Sequence, residues 1–189
     1  MIGFAVCGSF CTHARALETI GQLKRRGYEI LPILSEKVQE TDTRFGKAED
    51  FIRHTEELCG RRAVMSIEQA EPLGPAIPLD ALIIAPCTGN TLAKLANGIT
   101  DTCVLMAAKA HLRNQRPLVI GVSTNDGLSA SLENIGALMN RKNVYFMPFY
   151  QDDSANKPSS LICNMSLAQQ VLDEAMMGRQ YQPVLDLRR

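Results

Sequence analysis

The chain has 189 residues, enough for one domain with a sizeable core, which at this length buries roughly 70% of the unfolded surface. Twenty basic residues balance twenty acidic ones without a basic stripe, which argues against nucleic acid or an anionic membrane as the main partner. No apolar run approaches the ~20 residues of a membrane span. The N-terminus enters a strand without a basic leader, so we expect no signal peptide.

The cysteines favour buried free thiols in a reducing compartment over disulfides or a zinc site. No two of them form a C-x-x-C pair, and most lie in apolar surroundings. We therefore predict no metal site. The six are Cys7, Cys11, Cys59, Cys87, Cys103 and Cys163.

The first predicted strand covers residues 2–7, followed by a turn at Gly8 and Ser9 and a helix to about residue 26. Such a turn can hold a phosphate, because the unpaired amides of the first helical turn point at the anion. Only the first glycine of the G-x-G-x-x-G dinucleotide pattern is present, so that fingerprint is incomplete. His13 could reach a ligand at this turn, but we place it on the solvent side of the helix.

The second predicted strand covers residues 28–34 and contains Pro32, which lacks an amide donor and so favours an edge or an irregularity. Ser35 follows at the carboxyl end of this strand. Glu36 comes next, where an acid in a dinucleotide-binding protein would take a ribose hydroxyl. A solvated loop acid is the interpretation that we prefer for Glu36.

Arg44 lies in a polar loop at residues 41–46, flanked by small hydroxyl residues rather than by acids at helical spacing. A bidentate guanidinium is the best geometry for binding a carboxylate, so Arg44 is our substrate-binding residue for a dicarboxylate. The alternative is a surface ion pair with Asp42 or Asp50.

Residues 47–59 are predicted to form a helix that ends at a glycine and carries His54 on its surface. A short strand is predicted at 63–66. Residues 71–78 are too rich in proline for a helix or a central strand and are interpreted as a loop beside the site.

Residues 81–85 form a short apolar run without alternation, which is typical of a strand buried on both faces of a parallel sheet. Pro86 stops the run, and small residues including Thr88, Asn90 and Thr91 lead into a helix. Strand, small polar turn and helix start together predict a second phosphate-binding turn. The alternative is that these side chains only cap the helix.

The segment 86–101 resembles the P-x-S-A-N-T-x-x-K-x-x-x-G-x-x-D signature of the homo-oligomeric flavin-containing cysteine decarboxylase superfamily. The resemblance implies that this turn contacts FMN, and that Gly8, Ser9 and Ser35 take part in holding the cofactor. NADP is the alternative cofactor. The matching residues are Pro86, Asn90, Thr91, Lys94, Gly98 and Asp101, whereas Cys87, Thr88 and Gly89 replace the usual small residues.

A more specific resemblance, carried by TDTRFGKAEDFI, AAKAHLRNQRPL and NIGALMNRKNVYFMPFYQDD among others, is to the B subunits of dipicolinate synthase, one branch of this superfamily. It covers over half of the chain, from residue 41 to residue 153. It implies oxidation of a dihydrodipicolinate-type precursor together with a companion A subunit, in the cytoplasm of the mother cell of a sporulating bacterium. It also implies self-association into a trimer or larger ring with FMN between protomers.

Further along the chain, a helix is predicted at 101–112, a fifth strand at 117–122 and a helix at 129–140. The turn after the fifth strand contains Asn125. The decarboxylases carry P-x-M-N-x-x-M-W in this region, and only its asparagine is retained here. By analogy, Asn125 binds the second carboxylate or the ring nitrogen of the substrate.

The decarboxylases also use a histidine before the fourth strand, where this chain has residues 76–79 without one. Cysteine decarboxylation is therefore not expected. No catalytic residue is assigned.

A sixth strand is predicted at 144–149, a polar loop at 150–160 and a last helix from 164 to about 178. Residues 179–189 are predicted to be a tail that is poorly ordered or bound to a partner. The helix at 101–112 and the segment 147–150 are the predicted surfaces for self-association. For the small-residue helix at 101–112, packing on the chain's own sheet is the alternative, and it is the safer interpretation.

Alternating strands and helices predict an α/β fold, with a three-layer, Rossmann-like open parallel sheet of about six strands and helices on both faces, in one domain at 1–178. Ligands bind at the strand carboxyl ends of such a sheet, where the strand order reverses. FMN fits better than a dinucleotide because the first turn lacks the glycine pattern. Two alternatives to a flavin-binding oxidoreductase component remain: a non-catalytic partner that keeps the fold without cofactor, and a flavin-dependent decarboxylase or prenyltransferase.

Overall fold

The computed structural model describes residues 1–186, which contain one seven-stranded sheet. The strands are β1 (Ile2–Val6), β2 (Ile30–Leu34), β3 (Ala81–Cys87), β4 (Leu118–Thr124), β5 (Val144–Phe146), β6 (Phe149–Tyr150) and β7 (Leu161–Cys163). The first five are parallel and lie in the order β2-β1-β3-β4-β5, the flavodoxin-like order of doubly wound folds.

Helices cover both faces of the sheet, which confirms the predicted three-layer α/β fold. They are α1 (His13–Arg25), α2 (Glu36–Glu40), α3 (Ala48–Cys59), α4 (Ile67–Ala70), α5 (Gly89–Ala96), α6 (Cys103–Arg113), α7 (Leu132–Met139) and α8 (Ala168–Met176). Apolar residues of α1, α3 and α8 pack on one face, and those of α5, α6 and α7 pack on the other.

The central strands are apolar along their whole length because both of their faces are covered. In β3, Ala81 and Ile83 belong to one core cluster, and Leu82 and Ile84 belong to the other. All seven residues of this strand are buried. A fully buried parallel strand therefore accounts for the absence of polar alternation that the sequence shows here.

The end of the sheet differs from the prediction. The predicted sixth strand at 144–149 is divided into β5 and β6 around Pro148, and β6 pairs antiparallel with β7, which itself pairs antiparallel with β4. The sheet is therefore mixed at this end rather than parallel throughout. The strand predicted at 63–66 is also wrong: of these four residues, only Val64 pairs, through an isolated bridge to Ile33 of the edge strand β2.

The predicted tail lies against the sheet as far as the structure describes it. The Gln180 side chain accepts a hydrogen bond from the Phe146 amide at 2.8 Å and donates one to the Phe146 carbonyl at 2.7 Å. Further on, Leu185 forms a parallel bridge to Phe149, and Asp186 donates its amide to the Phe149 carbonyl. The prediction of a poorly ordered tail is therefore wrong for 180–186, and residues 187–189 lie outside the described part.

Most residues of both predicted self-association surfaces are buried inside this chain. Helix α6 buries seven of its eleven residues, including Val104, Ala107 and Ala108, against the sheet and α4. Met147 is fully buried and Phe149 is nearly so. These segments fill the core because their small and apolar side chains pack on the chain's own sheet.

No helix within residues 1–186 is long and apolar enough to cross a membrane.

Candidate functional site

A cavity of about 510 Å³ opens at the carboxyl ends of β1, β3 and β4. This volume lies within the range usual for small-molecule sites. The cavity also lies at the edge of the sheet where open α/β folds bind ligands, next to the point at which the strand order reverses. The lining consists of Ser9, Cys11, Thr88, Gly89, Asn90, Ser123, Thr124, Asn125, Asp126, Asp152, Lys157, Ser160, Leu161 and Ile162.

The turn after β1 is held in an uncommon conformation. Ser9 has φ 66° and ψ 50°, in the left-handed region that costs a non-glycine residue of order 1–3 kcal/mol. Its hydroxyl lies 2.6 Å from the Ser123 hydroxyl at the end of β4. This contact joins the turn after β1 to the end of β4, so the strained backbone of Ser9 lies at the site.

The turn after β3 starts helix α5. Thr88 is its N-cap, and its hydroxyl oxygen accepts a hydrogen bond from the Thr91 amide at 3.4 Å. The predicted capping role of Thr88 is therefore present, and Thr88 also lines the cavity together with the exposed Asn90. Capping and ligand binding are compatible here because the Gly89 and Asn90 amides belong to the unpaired first turn.

Gly89 lies where no side chain fits. A β-carbon there would approach the hydroxyls of Ser131 and Thr124 and a carboxylate oxygen of Asp126 to between 2.7 and 2.8 Å. The turns after β3 and β4 therefore touch at this glycine. The absence of a side chain at Gly89 is what allows these two turns to pack together.

Asp126 organises the turn after β4. Its Oδ1 accepts hydrogen bonds from the Thr124 hydroxyl at 2.5 Å and from the Ser131 hydroxyl at 2.8 Å. The bond from Thr124 is the main cause that lowers the pKa of Asp126, and the bond from Ser131 adds to it. The cavity therefore contains an ionised carboxylate beside Gly89.

The loop between β6 and β7 supplies two more charged groups. Lys157 donates from its Nζ to Oδ2 of Asp152 at 3.2 Å. Both residues line the cavity.

Four of the predicted binding residues, namely Ser9, Thr88, Asn90 and Asn125, are brought together in this cavity. Asn125 is exposed at the turn after β4. Since the carboxyl ends of neighbouring parallel strands share one edge, the predicted turns were expected to meet. Whether these residues bind a ligand stays a prediction.

The other predicted cofactor contacts lie outside the cavity lining. Thr91 is buried and donates from its hydroxyl to the Cys7 sulfur at 3.4 Å, and Pro86 is buried and accepts from the Cys7 amide. Ser35 is also buried, and its hydroxyl has no hydrogen-bond partner among the described residues. Gly8 precedes Ser9 in the turn without lining the cavity itself.

Arg44 lies on a separate loop, outside the cavity lining, with its guanidinium 4.9 Å from the centre of the exposed Phe45 ring. The predicted alternative of an ion pair is not observed within residues 1–186. Asp50 pairs with Arg53 at 2.6 Å, and Asp42 accepts from the Ala48 amide at 2.9 Å. Arg44 is therefore a stacked, exposed cation whose substrate role stays a prediction.

His13 is buried rather than solvated, which corrects the sequence interpretation. Its Nε2 lies 3.0 Å from the Cys7 carbonyl, and its ring stacks near Phe10 and Phe51 at centroid distances of 5.0 and 4.4 Å. Burial lowers the pKa of His13. His54, by contrast, is exposed on α3, as predicted.

The prediction that Glu36 is a solvated loop acid is also wrong. Its carboxylate accepts a hydrogen bond at 2.8 Å from the Cys103 amide at the start of α6. The acid therefore satisfies one of the free amides at this helix N-terminus. The thiol of Cys103 donates to the Leu34 carbonyl at 3.1 Å, and five of the six free cysteines are buried, in agreement with the prediction.

Two residues of the recognised signature have a structural role that the pattern alone does not reveal. Lys94 of α5 forms an ion pair at 2.7 Å with Asp101, and this hydrogen bond lowers the pKa of Asp101. The pair bridges the link between α5 and α6. Their spacing of seven residues, with a glycine between, is the only sequence signal for it.

Sequence reasoning missed Asp126, Asp152 and Lys157 as parts of the site. The signal for Asp126 was its position next to Asn125 in a strand-end turn. Asp152 lies in the stretch of resemblance that ends at residue 153, but nothing in the sequence placed Asp152 or Lys157 at the site, because only the antiparallel return of β7 brings their loop to the cavity.

Comparisons with known proteins agree on one family. A family model described as Flavoprotein matches residues 1–176. The B subunit of dipicolinate synthase from Bacillus subtilis (strain 168) is 47% identical over 184 residues, which cover 97% of this chain and 92% of that protein. The flavin prenyltransferase UbiX of Chlamydia muridarum is 28% identical over 179 residues, covering 89% and 91% of the two chains.

Solved structures agree with this assignment. The crystal structure of the dipicolinate synthase B subunit from Bacillus halodurans superposes with a TM-score of 0.91 at 43% identity, covering 100% of this chain and 96% of that chain. Nothing in these similarities supports NADP as the cofactor. The chain belongs to the flavoprotein family, in the group formed by the B subunits of dipicolinate synthase.

Proposed function

We propose that this chain is the flavin-binding B subunit of a dipicolinate synthase. It acts with an A subunit to oxidise a dihydrodipicolinate-type precursor to dipicolinate, in the cytoplasm of the mother cell of a sporulating bacterium. The observation that supports this proposal best is the cavity in which Ser9, Thr88, Asn90 and Asn125 meet, in a chain 47% identical to such a protein. Self-association into a trimer or larger assembly is part of the proposal.

The residues of the cavity suit FMN. A flavin phosphate needs several hydrogen-bond donors, and the hydroxyls of Ser9 and Thr88, the Asn90 amide group and the first turn of α5 provide them at one edge. Gly89 allows the turns after β3 and β4 to pack together, so that these donors share one edge of the sheet. Leu161 and Ile162 supply apolar surface in the same cavity for a planar ring.

The flavin would supply the two-electron oxidation, since no protein side chain does so readily. The chain's own residues would bind and orient. Asn125 would donate a hydrogen bond to one carboxylate or contact the ring nitrogen of the substrate, and Arg44 would bind the other carboxylate through its guanidinium. Arg44 lies on a different loop, so the substrate would extend from the cavity toward that loop or toward Arg44 of a second copy.

FMN titration tests the cofactor part of this proposal. We expect the purified protein to bind about one FMN per chain, followed by calorimetry and by the change in the flavin absorption bands. A colourless protein that takes up no added FMN would favour the non-catalytic partner instead.

Turnover tests the reaction. Formation of dipicolinate should require both proteins together and should not be reached by the A subunit alone. Equal activity of the A subunit without this chain would place the chemistry on the A subunit.

A further inference from the structure

The cavity has an unfavourable charge for the anionic ligand that it is proposed to bind. Its lining includes two carboxylates, Asp126 and Asp152, and Lys157 is the one cation among the described residues that line it. An anion entering this space therefore meets one more negative than positive charge. Hydroxyl and amide donors position an anion but do not neutralise it, so the balance depends on the single ammonium.

The two carboxylates are bound in different ways. Asp126 is fixed at the base of the turn after β4 by two short hydroxyl hydrogen bonds. Asp152 is held by Ser160 and by the Lys157 ammonium, on the exposed loop between β6 and β7. Burial raises the pKa of Asp152, but these hydrogen bonds outweigh it and the pKa lies below its usual value, so the group is ionised.

The ion pair between Asp152 and Lys157 can be broken easily in favour of another anion. The two atoms are 3.2 Å apart, and the side chains are 30% and 56% exposed. Exposed pairs of this kind contribute little to stability, because solvent screens them and both side chains lose freedom. A lysine ammonium on a flexible stem can therefore leave this partner for a stronger one without loss of the fold.

We propose that Lys157 binds the anionic group of the cavity's ligand, and that Asp152 holds the Lys157 ammonium in place until the ligand displaces it. This inference rests on the proposed function, because it presumes a flavin phosphate or a dicarboxylate in the cavity. It assigns a binding role to a loop in which the sequence predicted no site residue. It also gives Asp152 an effect opposite to that of Lys157.

The shared chemistry is an oxyanion, which is either the phosphate of FMN or a carboxylate of the substrate. Comparison of FMN with riboflavin separates the two, since riboflavin has the same ring and ribityl chain without the phosphate. If Lys157 contacts the phosphate, Lys157→Gln should weaken FMN binding ten- to hundredfold, the range for loss of a charge-assisted contact, and should leave riboflavin binding unchanged. If Lys157 contacts the substrate, FMN binding should persist and the FMN-loaded variant should bind dipicolinate ten- to hundredfold more weakly.

Lys142→Gln is the matched control. Lys142 is another exposed lysine bound to a side-chain acceptor, Gln115 at 3.2 Å, but it lies before β5, at the opposite edge of the sheet. This variant should bind FMN, riboflavin and dipicolinate as the wild type does. Any effect shared by both variants would be a loss of overall charge rather than of a contact.

Asp152→Asn should change the affinity for the anion in the opposite direction to Lys157→Gln. Removing this carboxylate releases Lys157 and takes one negative charge out of the cavity, so the affinity for the same anion should rise several-fold. The gain should vanish in Asp152→Asn combined with Lys157→Gln, which would show that the two residues act through each other. Weaker anion binding by Asp152→Asn alone would contradict the displacement of Asp152 by the ligand.

The measurement is calorimetric titration of FMN, riboflavin and dipicolinate into the full-length variants, after thermal unfolding has shown that each is folded. Wild-type protein that binds no flavin would refute the proposed function itself. Wild-type protein that binds FMN, together with a Lys157→Gln variant that binds all three ligands equally well, would refute only the role of Lys157.

Discussion

Gly89 illustrates at the scale of one residue how the site depends on close backbone contact. In an exposed helix, replacing glycine by alanine stabilises the protein by roughly 1 kcal/mol. At Gly89 the added carbon would approach three oxygen atoms to between 2.7 and 2.8 Å. We therefore predict that Gly89→Ala lowers the free energy of unfolding by ~1–3 kcal/mol, as overpacking does, and weakens FMN binding.

Gly136→Ala is the matched control for this prediction. Gly136 also lies in a helix, α7, but a β-carbon there would have no atom within 4 Å. Urea unfolding of the two variants should give changes of opposite sign, with Gly136→Ala stabilising by ~0.5–1 kcal/mol. A stabilised Gly89→Ala variant with normal FMN affinity would mean that the turns after β3 and β4 have room to separate.

Arg44 is predicted to bind a carboxylate of the substrate. Truncation to alanine removes a charge-assisted contact worth ~1.5–3 kcal/mol, or roughly ten- to hundredfold in kcat/KM. Steady-state kinetics of Arg44→Ala, reconstituted with the A subunit, should show this loss, with FMN binding intact. Arg53→Ala is the control, because Arg53 is an exposed arginine that already pairs with Asp50. Equal kinetics of both variants would make Arg44 a surface residue that only stacks on Phe45.

Single residues were predicted best where they follow a strand. Ser9, Thr88, Asn90 and Asn125 were found from the pattern of strand, small polar turn and helix, because parallel strands bring such turns to one edge. His13 was misplaced because helical periodicity does not show that α3 packs over the start of α1 and covers this ring with Phe51.

At the scale of elements, helix α6 contains a histidine that makes stability depend on pH. His111 is fully buried, its Nε2 is 2.9 Å from the Pro117 carbonyl, and its Nδ1 has no hydrogen-bond partner among the described residues. Burial is the main cause that lowers the pKa of His111, the nearby Arg116 adds to it, and Asp80 and the Pro117 bond oppose it. The folded state therefore keeps the ring neutral at pH values where the unfolded state takes up a proton.

Proton linkage gives the direction in which the free energy of unfolding changes with pH. Because the unfolded histidine titrates near 6.5 and the folded one below that, the free energy of unfolding should fall as the pH drops below about 6.5. His111→Gln can still donate toward Pro117 but cannot be protonated, so it should lose less stability than the wild type between pH 7.5 and pH 5.5. Urea unfolding at both values checks this. The exposed His54→Gln should behave like the wild type, and a His111→Gln variant with the full wild-type pH dependence would contradict the prediction.

The outer edge of β5 is closed by one side chain. Gln180 exchanges two hydrogen bonds with the Phe146 backbone and so substitutes for a neighbouring strand. We predict that Gln180→Ala lowers the free energy of unfolding by ~1–3 kcal/mol, since backbone groups of β5 lose their partner, and that it increases aggregation through the open edge. The exposed Gln170→Ala should change neither quantity. Urea unfolding and light scattering of both variants test this, and an unaffected Gln180→Ala variant would mean that water replaces the side chain.

Elements were predictable as far as the parallel part of the sheet extends. Apolar runs without alternation identified β1 to β4, and Pro32 indicated that β2 lies at an edge. The hairpin of β6 and β7 and the ordered segment 180–186 were not predictable. Their strands have only two or three residues, and their pairing depends on side chains far away in the sequence, such as Gln180.

For the whole molecule, the sequence was sufficient for the family and the layer architecture but not for the charge of the site. Net charge is zero over the chain, and this balance concealed the fact that two carboxylates and one lysine share the cavity. The loop that carries Asp152 and Lys157 reaches the cavity only through the antiparallel return of β7. Charge balance in a site is set by tertiary structure, so composition could not reveal it.

We propose that the carboxyl edge of the sheet binds a flavin at its small polar turns. The most direct test is a crystal structure of the protein with FMN. We predict density for the phosphate within hydrogen-bonding reach of at least two of Ser9, Ser35, Thr88 and Asn90, with the flavin extending into the cavity beside Asn125. A well-ordered FMN bound elsewhere on the chain, or a saturating soak without flavin density at this edge, would contradict this binding site.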